Sequence, residues 1–279
     1  MASTPAGRAA TTAHRLAQGR IAARVVAEVL GAWQSLDPLR LTDQTWTGPI
    51  LAALTRHRAD SAELAANYYH DYRQAEVTAG PAFSPRPGSA GTSDSWRDRA
   101  LTSLRVTGTR VVARLLLVGW APAAALDWAG PGVAAASSRH ALAAGRDVVH
   151  TALRADPAGR GWLRVTDADP CWFCAMLASR GAVYLTQKSA STRGGTDEPF
   201  HDGCGCQTEP VFRTAVLPEP SQRFAAMWET STKGLSGKDA RNAFRRAHEA
   251  AQRGTPAPTD RPPARIPRTA PNSTPRLSR

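Results

Sequence analysis

Apolar residues recur every three or four positions through most of the first 155 residues, which is the spacing of helices with one buried face. A break over residues 80–95, rich in proline and glycine, interrupts this pattern. The pattern therefore predicts a helical domain over residues 11–155, preceded by a short disordered start over residues 1–10. Its helices are predicted at residues 11–33, 47–78, 98–118 and 133–154.

The aromatic and imidazole side chains of this helical domain are interpreted as structural. Tyr68, Tyr69 and Tyr72 lie on the apolar face of the second helix, where aromatic rings commonly fill a core. The histidines stand singly, and we interpret each one as a polar surface or core residue, not as a ligand. They occupy positions 14, 57, 70, 140 and 150. Nothing in this half of the sequence resembles a reaction centre.

After the turn-forming residues 156–159, short strands and helices replace the long helical pattern. Residues 171–180 predict a short helix, which Gly181 is placed to end in a left-handed conformation. The polar residues 186–199 are expected to form an exposed loop. Alternating residues predict strands at 162–165, 182–185 and 211–212.

Two more helices, over residues 220–232 and 237–253, complete this second part of the chain. Residues 254–279 alternate proline with arginine and predict a disordered basic tail. The predicted fold class is therefore α+β, mostly α. It consists of a helical half, a small α+β module over residues 156–253, and the tail.

The 279-residue chain has a formal net charge of +12, and nearly all of its basic residues are arginine. Part of this basicity reflects the codon usage of a GC-rich genome. A surplus of this size still attracts polyanions, DNA first among them. The sequence contains neither a run of about 18 apolar residues nor the apolar block of a secretory signal, so we expect synthesis in the cytoplasm and no membrane partner.

All four cysteines fall within residues 171–206, together with one histidine. Cys171 and Cys174 form a C-x2-C pair. After a gap of 26 residues, His201, Cys204 and Cys206 form an H-x2-C-x-C element. Sulfur and imidazole donors in two clusters suit tetrahedral zinc, which takes four cysteines, or three cysteines and a histidine. We predict one structural zinc ion per chain, and the sequence leaves open which four of the five donors bind it.

Other interpretations of the cysteines stay open on the sequence alone. Disulfide pairing is unusual in a cytosolic chain, although a virion can oxidise later. Plain structural thiols are another interpretation, but they would not concentrate every cysteine in one segment. A redox C-x-x-C motif would need a βαβ setting and would leave the H-x2-C-x-C element unexplained.

The sequence does not favour an enzyme or a small-molecule substrate. Residues 170–174 match the P-C-x-x-C half of a zinc deaminase signature, but none of the preceding histidines belongs to the required H-x-E motif. Phosphate-binding, metalloprotease and serine hydrolase motifs are absent from the sequence. Asp167, Asp169 and Asp202 flank the cysteines, and we expect them to orient metal ligands or to cap turns.

The residues around the cysteines also follow a known pattern. The matching positions are residues 169–174, 181, 184 and 199–206. They resemble the C-x-x-C and H-P-x-C-R-C elements of the phage Mu F-like minor head proteins, especially the versions found in phages of actinobacteria. This sequence has Asp202 where proline is usual and Gly205 where arginine is usual. The resemblance covers about residues 155–215.

The resemblance implies a minor capsid component that is incorporated with the portal protein during head assembly, alongside capsid and scaffold proteins. Such proteins are associated with the portal vertex and with packaged or ejected DNA, and they are not regarded as enzymes. We therefore expect a virion protein of the head interior or portal vertex, present in the host cytoplasm during assembly. Its contact with DNA should be weak and non-specific, because the genome passes without sequence choice.

Two alternatives come from other classes of protein. A zinc-ribbon-type nucleic-acid-binding regulatory protein would show a sequence preference at physiological salt, unlike a head protein. A toxin or hydrolase that borrows the cysteine module would need a concentrated set of polar residues elsewhere, and the N-terminal half contains none.

Overall fold

The computed structural model describes residues 2–41, 46–85, 95–181, 200–213 and 217–254. These residues confirm the predicted α+β, mostly α class. The helices are α1 (Pro5–Gln34), α2 (Thr47–Glu76), α3 (Ser95–Leu104), a π-helical turn (Arg105–Thr109), α4 (Arg110–Leu117), α5 (Pro122–Ala155), α6 (Trp172–Ala178), α7 (Glu219–Ser231) and α8 (Gly237–Gly254). The strands are β1 (Gly161–Val165) and β2 (Gln207–Val211). None of the helices so described is long and apolar enough to cross a membrane.

Helices α1, α2 and α5 pack against one another and form a three-helix bundle. The stripe predicted for α1, which includes Val25 and Trp33, is buried in the core of this bundle. Small residues allow α2 and α5 to approach closely, because a Cβ atom at Gly145 would lie 2.6 Å from Ser61 Oγ. The predicted core tyrosines of α2 are also buried, which confirms their structural interpretation.

Helix α1 begins at Pro5, so residues 5–10, expected to be disordered, are helical. Thr4 caps the helix by accepting a hydrogen bond from the Gly7 backbone N–H at 2.9 Å. The carboxylate of Glu76 in α2 in turn accepts hydrogen bonds from the backbone N–H groups of Ser3 and Thr4, at 2.8 and 2.9 Å. The long-range contact to α2 therefore orders a segment whose local composition does not predict a helix.

Helix α5 begins at Pro122, eleven residues before the predicted start at 133, which was wrong. The Gly-Pro-Gly sequence at residues 130–132 favours a break, yet the helix continues through Pro131. Trp33 of α1 packs here and donates its indole N–H to the Leu126 carbonyl at 3.0 Å. The apolar contact with α1 outweighs the local preference for a break.

The single helix predicted over residues 98–118 is divided by the π-helical turn. Its buried positions recur every fourth residue, a spacing that drifts around an α-helix of 3.6 residues per turn. The wider π turn takes up this excess and keeps the buried face directed at the bundle. Those positions are Trp96, Ala100, Leu104, Gly108 and Val112.

The two strands form an antiparallel pair in which Gly161 lies opposite Val211. The predicted strand at 162–165 is confirmed, whereas the edge strand predicted at 211–212 was misplaced, because β2 ends at Val211. Beyond this end, the Phe212 ring lies 5.9 Å from that of Tyr69. The strand predicted at 182–185, the loop at 186–199 and the tail beyond 254 lie outside the described residues.

The bundle and the cysteine-bearing part share one apolar cluster, although a boundary is predicted between residues 155 and 156. Tyr69 and Val149 of the bundle belong to the same buried cluster as Trp162, Met176 and Phe244. The predicted helices after the cysteines, α7 and α8, pack against α6 and contribute to this cluster. The domain boundaries themselves stay a prediction.

Candidate metal centre

The first cysteine pair lies at the start of α6. Cys171 is the N-cap residue of this helix, and its Sγ accepts a hydrogen bond from the Cys174 backbone N–H at 3.3 Å. The C-x2-C spacing thus places both sulfurs at one helix end. Gly181 follows the helix with a φ of +69°, the left-handed conformation that its position predicts.

The second element, from His201 to Cys206, precedes β2 and lies against helix α5. The backbone N–H of Gly203, a residue with φ of +69°, donates to the Ala135 carbonyl at 3.1 Å. Arg139 forms an ion pair with Asp202, with 2.6 Å between Nε and Oδ1. Two residues about one turn apart on α5, Ala135 and Arg139, therefore hold the turn that carries the second set of donors.

The five predicted donors converge. His201 Nε2 lies 3.2 Å from the Sγ atoms of both Cys171 and Cys174, and Cys174 Sγ lies 3.5 Å from Cys204 Sγ. Within the described residues, the donor atoms form two groups that could hold a metal ion, each with all its atoms within 4.8 Å of one another. The groups are Cys171, Cys174 and His201, and Cys174, Cys204 and Cys206. Cys174 belongs to both groups and is the centre of the cluster.

The hydrogen bond of His201 Nδ1, the ring nitrogen away from the sulfurs, determines the tautomer of this histidine. Nδ1 lies 2.8 Å from the Asp202 carbonyl oxygen, which can only accept, so Nδ1 carries the proton. When the ring is neutral, as a metal ligand must be, Nε2 faces the sulfurs with a free lone pair. A histidine held in this way is prepared to bind a metal through Nε2.

Two arginines are buried beside the sulfurs. Arg146 of α5 and Arg164 of β1 are only 3% and 1% exposed, and their guanidinium carbons lie 3.8 and 4.2 Å from the centre of the Phe200 ring. Arg164 Nη1 is also 3.9 Å from Cys204 Sγ. Buried cations require nearby negative charge, so these arginines favour a thiolate among the neighbouring sulfurs.

The ionisation of the centre follows this arrangement. Burial raises the pKa of the Cys204 thiol, but hydrogen bonds from Cys174 and Cys206 and the charge of Arg146 outweigh burial and bring that pKa well below its usual value. Burial lowers the pKa of His201, but the Cys171 sulfur and the negative charge of Cys204 outweigh it and raise that pKa. Cys204 is therefore the sulfur that the protein environment itself favours as a thiolate.

These residues fit a structural zinc ion. All four cysteines are buried and form no disulfide bond, and sulfur with neutral imidazole is the donor set that zinc prefers. Zinc bound by three or four thiolates carries one or two net negative charges, which the neighbouring arginines of α5 and β1 complement. The centre offers five donors for four positions, so the choice among them stays a prediction.

Two of the three flanking aspartates have side-chain partners outside the cysteine cluster. The Asp202 carboxylate binds Arg139, while its backbone carbonyl, and not its side chain, orients His201. Asp169 Oδ1 accepts a hydrogen bond from Gln252 of α8 at 2.7 Å. Asp167 lies close to Gly205, since a Cβ atom at Gly205 would lie 2.5 Å from Asp167 Oδ2.

Sequence reasoning missed Phe200, Arg146 and Arg164 as parts of the centre. Phe200 directly precedes His201, and this position beside a predicted donor was the one local sign that Phe200 belongs to the centre. Arg146 lies on a helix 25 positions before the first cysteine and resembles any other arginine of that helix. Only the packing of α5 against the turn before β2 shows that it belongs to the centre.

The comparisons with known proteins define the class. The model of the VG15 protein family matches residues 6–231, which include the bundle and all five donors, and the chain belongs to this family. It is similar to the Gene 15 protein of Mycobacterium phage D29, with 29% identity over 36% of this chain and 48% of the phage protein. The chain thus spans about half the length of that curated relative, and no solved structure matches it. These similarities identify a phage protein.

Proposed function

We propose that this protein is a minor capsid (head morphogenesis) protein of the Mu F-like type. In this proposal it is associated with the portal vertex, and one structural zinc ion stabilises it. The observation that carries the proposal is the convergence of the four cysteines and His201 in one buried centre of a phage protein. The capsid role rests on the resemblance of this donor pattern to the Mu F-like proteins.

The centre is better suited to a structural than to a catalytic role. Its cysteines are at most 6% exposed, and the two donor groups, which share Cys174, together offer five protein donors for the four coordination positions of a zinc ion. A catalytic zinc ion keeps one coordination position open for water or substrate. Zinc held by four of the five donors would join α6 to the turn before β2, and we assign the protein no enzymatic activity.

The distribution of charge supports non-specific contact with DNA. Helix α8 buries Phe244 and His248, while Arg241, Arg245 and Arg253 are exposed on its outer surface. A second basic stretch extends through α3 and α4, where the sequence has no acidic residue between positions 98 and 127. Its arginines are Arg99, Arg105, Arg110 and Arg114. Diffuse positive charge of this kind neutralises phosphates without reading bases.

The zinc assignment is tested on the purified protein. We expect about one zinc ion per chain by elemental analysis, and a lower melting temperature after removal by a chelator. Cobalt substitution should give the visible absorption of thiolate-bound, tetrahedral metal. A metal-free preparation whose melting is unchanged by added zinc would contradict the assignment.

The assembly role is tested on particles. Phages that lack this protein should produce defective heads or particles that deliver DNA poorly, and the protein should be detected in purified wild-type virions. Antibody labelling of those virions should place it at the portal vertex or inside the head. Fully infectious particles made without it would contradict the proposal.

The DNA contact separates a head protein from a regulatory zinc-ribbon protein. We expect similar weak affinities for unrelated duplexes and a steep decrease of affinity with salt. Replacing both Arg241 and Arg245 with glutamine should weaken binding to all duplexes alike. Selection of one preferred sequence from a random pool would instead support the regulatory alternative.

A further inference from the structure

We propose that Arg146 is a positioning residue of the metal centre, through which helix α5 of the bundle holds the Cys204–Cys206 turn ready for the metal. This inference rests on the proposed zinc function. It extends that function, because the metal would then stabilise the attachment of the cysteine region to the bundle as well as the cysteine region itself.

The hydrogen bonds of Arg146 define this role. Its Nη2 donates to the carbonyl oxygens of Cys204 and Cys206 at 2.7 and 2.9 Å, and its Nε approaches the Cys206 carbonyl at 3.2 Å. One planar guanidinium thus binds the backbone of both cysteines of the C-x-C pair. Since the carbonyl groups of both Cys204 and Cys206 are held by one side chain, the path of the chain between the two sulfurs is restrained.

The burial of Arg146 also connects this residue with the cysteine cluster. The side chain is 3% exposed, and its Nη1 has no hydrogen-bond partner within the described residues. Burial lowers the pKa of Arg146, and negative charge on the sulfurs of Cys204, Cys206 and Cys174 acts in the opposite direction and favours the cation. A buried cation without compensation is costly, and a metal centre with net negative charge compensates it.

The other contacts of the turn show that α5 acts as a template. Ala135, Arg139 and Arg146 follow one another over about three turns of this helix, and each contacts a residue between Asp202 and Cys206. Of the three, Arg146 is the one that binds the cysteines themselves. Arg139 instead holds Asp202 at the more exposed edge of the turn, where the carboxylate is 41% exposed.

Three variants separate the possible roles of Arg146. Arg146→Gln removes the charge and the fork of donors, whereas Arg146→Lys keeps a charge but loses the planar fork. Arg73→Gln is the matched control, because Arg73 is also a buried arginine of the bundle but pairs with Asp156 away from the cysteines. Each full-length variant is measured by competition for zinc with a chromogenic chelator and by melting with and without zinc.

We expect Arg146→Gln to bind zinc about 10–100-fold more weakly than the wild type, the effect usual for residues that orient metal ligands. Arg146→Lys should recover only part of this loss, and the zinc-dependent increase in melting temperature should shrink in the same order. Arg73→Gln should melt at a lower temperature yet bind zinc like the wild type.

Several results would overturn the inference. Unchanged zinc affinity in Arg146→Gln would do so, as would full recovery in Arg146→Lys or an equal loss in Arg73→Gln. If Arg146→Gln does not fold, the comparison of Arg146→Lys with the wild type decides. A wild-type protein that binds no zinc would instead contradict the proposed function. If the wild type binds zinc and the Arg146 variants bind it with the same affinity, only this inference is contradicted.

Discussion

The helical bundle and the metal centre are stabilised in different ways. The bundle buries aliphatic and aromatic side chains along three long helices, with small residues such as Gly145 where the helices approach. The cluster at the centre instead consists of four cysteines and Phe200, framed by two buried arginines. The bundle thus relies on the hydrophobic effect, whereas the centre concentrates groups that are costly to bury unless they are bonded and neutralised.

Under the proposed function, this difference explains why a metal would stabilise the centre and not the bundle. The two donor segments of the centre lie at the start of α6 and before β2, and the cluster that surrounds the sulfurs has Phe200 and Phe173 as its apolar side chains besides the cysteines. A zinc ion would replace the missing hydrophobic stabilisation with bonds between segments. Substitutions in the centre should therefore change zinc binding together with stability, whereas substitutions in the bundle should change stability alone.

Replacing Cys174 with serine should have the largest effect. Cys174 is common to both donor groups, so Cys174→Ser should abolish zinc binding and lower the free energy of unfolding by about 4–5 kcal/mol. Circular dichroism should still show most of the helix of the bundle. Cys171→Ser, which affects one donor group, should be the milder variant. A Cys174→Ser protein that retains zinc and melts like the wild type would contradict the idea that a metal stabilises the centre.

Replacing Gly145 with alanine should damage the bundle and leave the centre intact. The added Cβ would lie 2.7 Å from the Ser61 carbonyl oxygen, a backbone atom that cannot easily move. Overpacking of this kind should cost about 1–3 kcal/mol, measured by denaturant unfolding, with zinc content unchanged. Gly19→Ala is the control, since open space surrounds that position of α1 and the variant should be slightly stabilised. Equal stabilities of the two variants would contradict close packing at Gly145.

The buried histidine of α1 should give the smallest effect. Burial, aided by the charge of Arg146, lowers the pKa of His14 to about 3, so the folded protein holds this ring neutral. Below a pH of about 6.5 the unfolded chain binds the extra proton, and stability decreases as the pH falls toward 3. Between pH 7 and pH 6 this one histidine should account for about 0.7 kcal/mol.

His14→Phe tests this effect, because the ring can still stack on Tyr68, whose centre lies 4.2 Å away, without titrating. The free energy of unfolding, measured in denaturant at both pH values, should then depend less on pH than in the wild type. The same pH dependence in both proteins would show that His14 is not held neutral by the fold.

The sequence predicted those features that depend on local pattern. The stripe of α1 predicts a buried helix face, and Cys171 with Cys174 predicts two sulfurs at one helix end, because neighbours along the chain determine both. The errors occurred where distant contacts compete with local preference. Trp33 keeps α5 helical through Pro131, and Glu76 orders the residues before α1.

By itself, the sequence determined the mostly helical class and the chemistry of the donor set, since periodicity and residue type are properties of the chain. The tertiary structure decided that the two donor segments meet against α5, that Cys174 belongs to both groups, and that Arg146 faces the Cys204–Cys206 turn. These relations join residues 30 to 60 positions apart, and their positions in space depend on how the helices pack. A buried cation beside the sulfurs is therefore a property of the fold that no local pattern encodes.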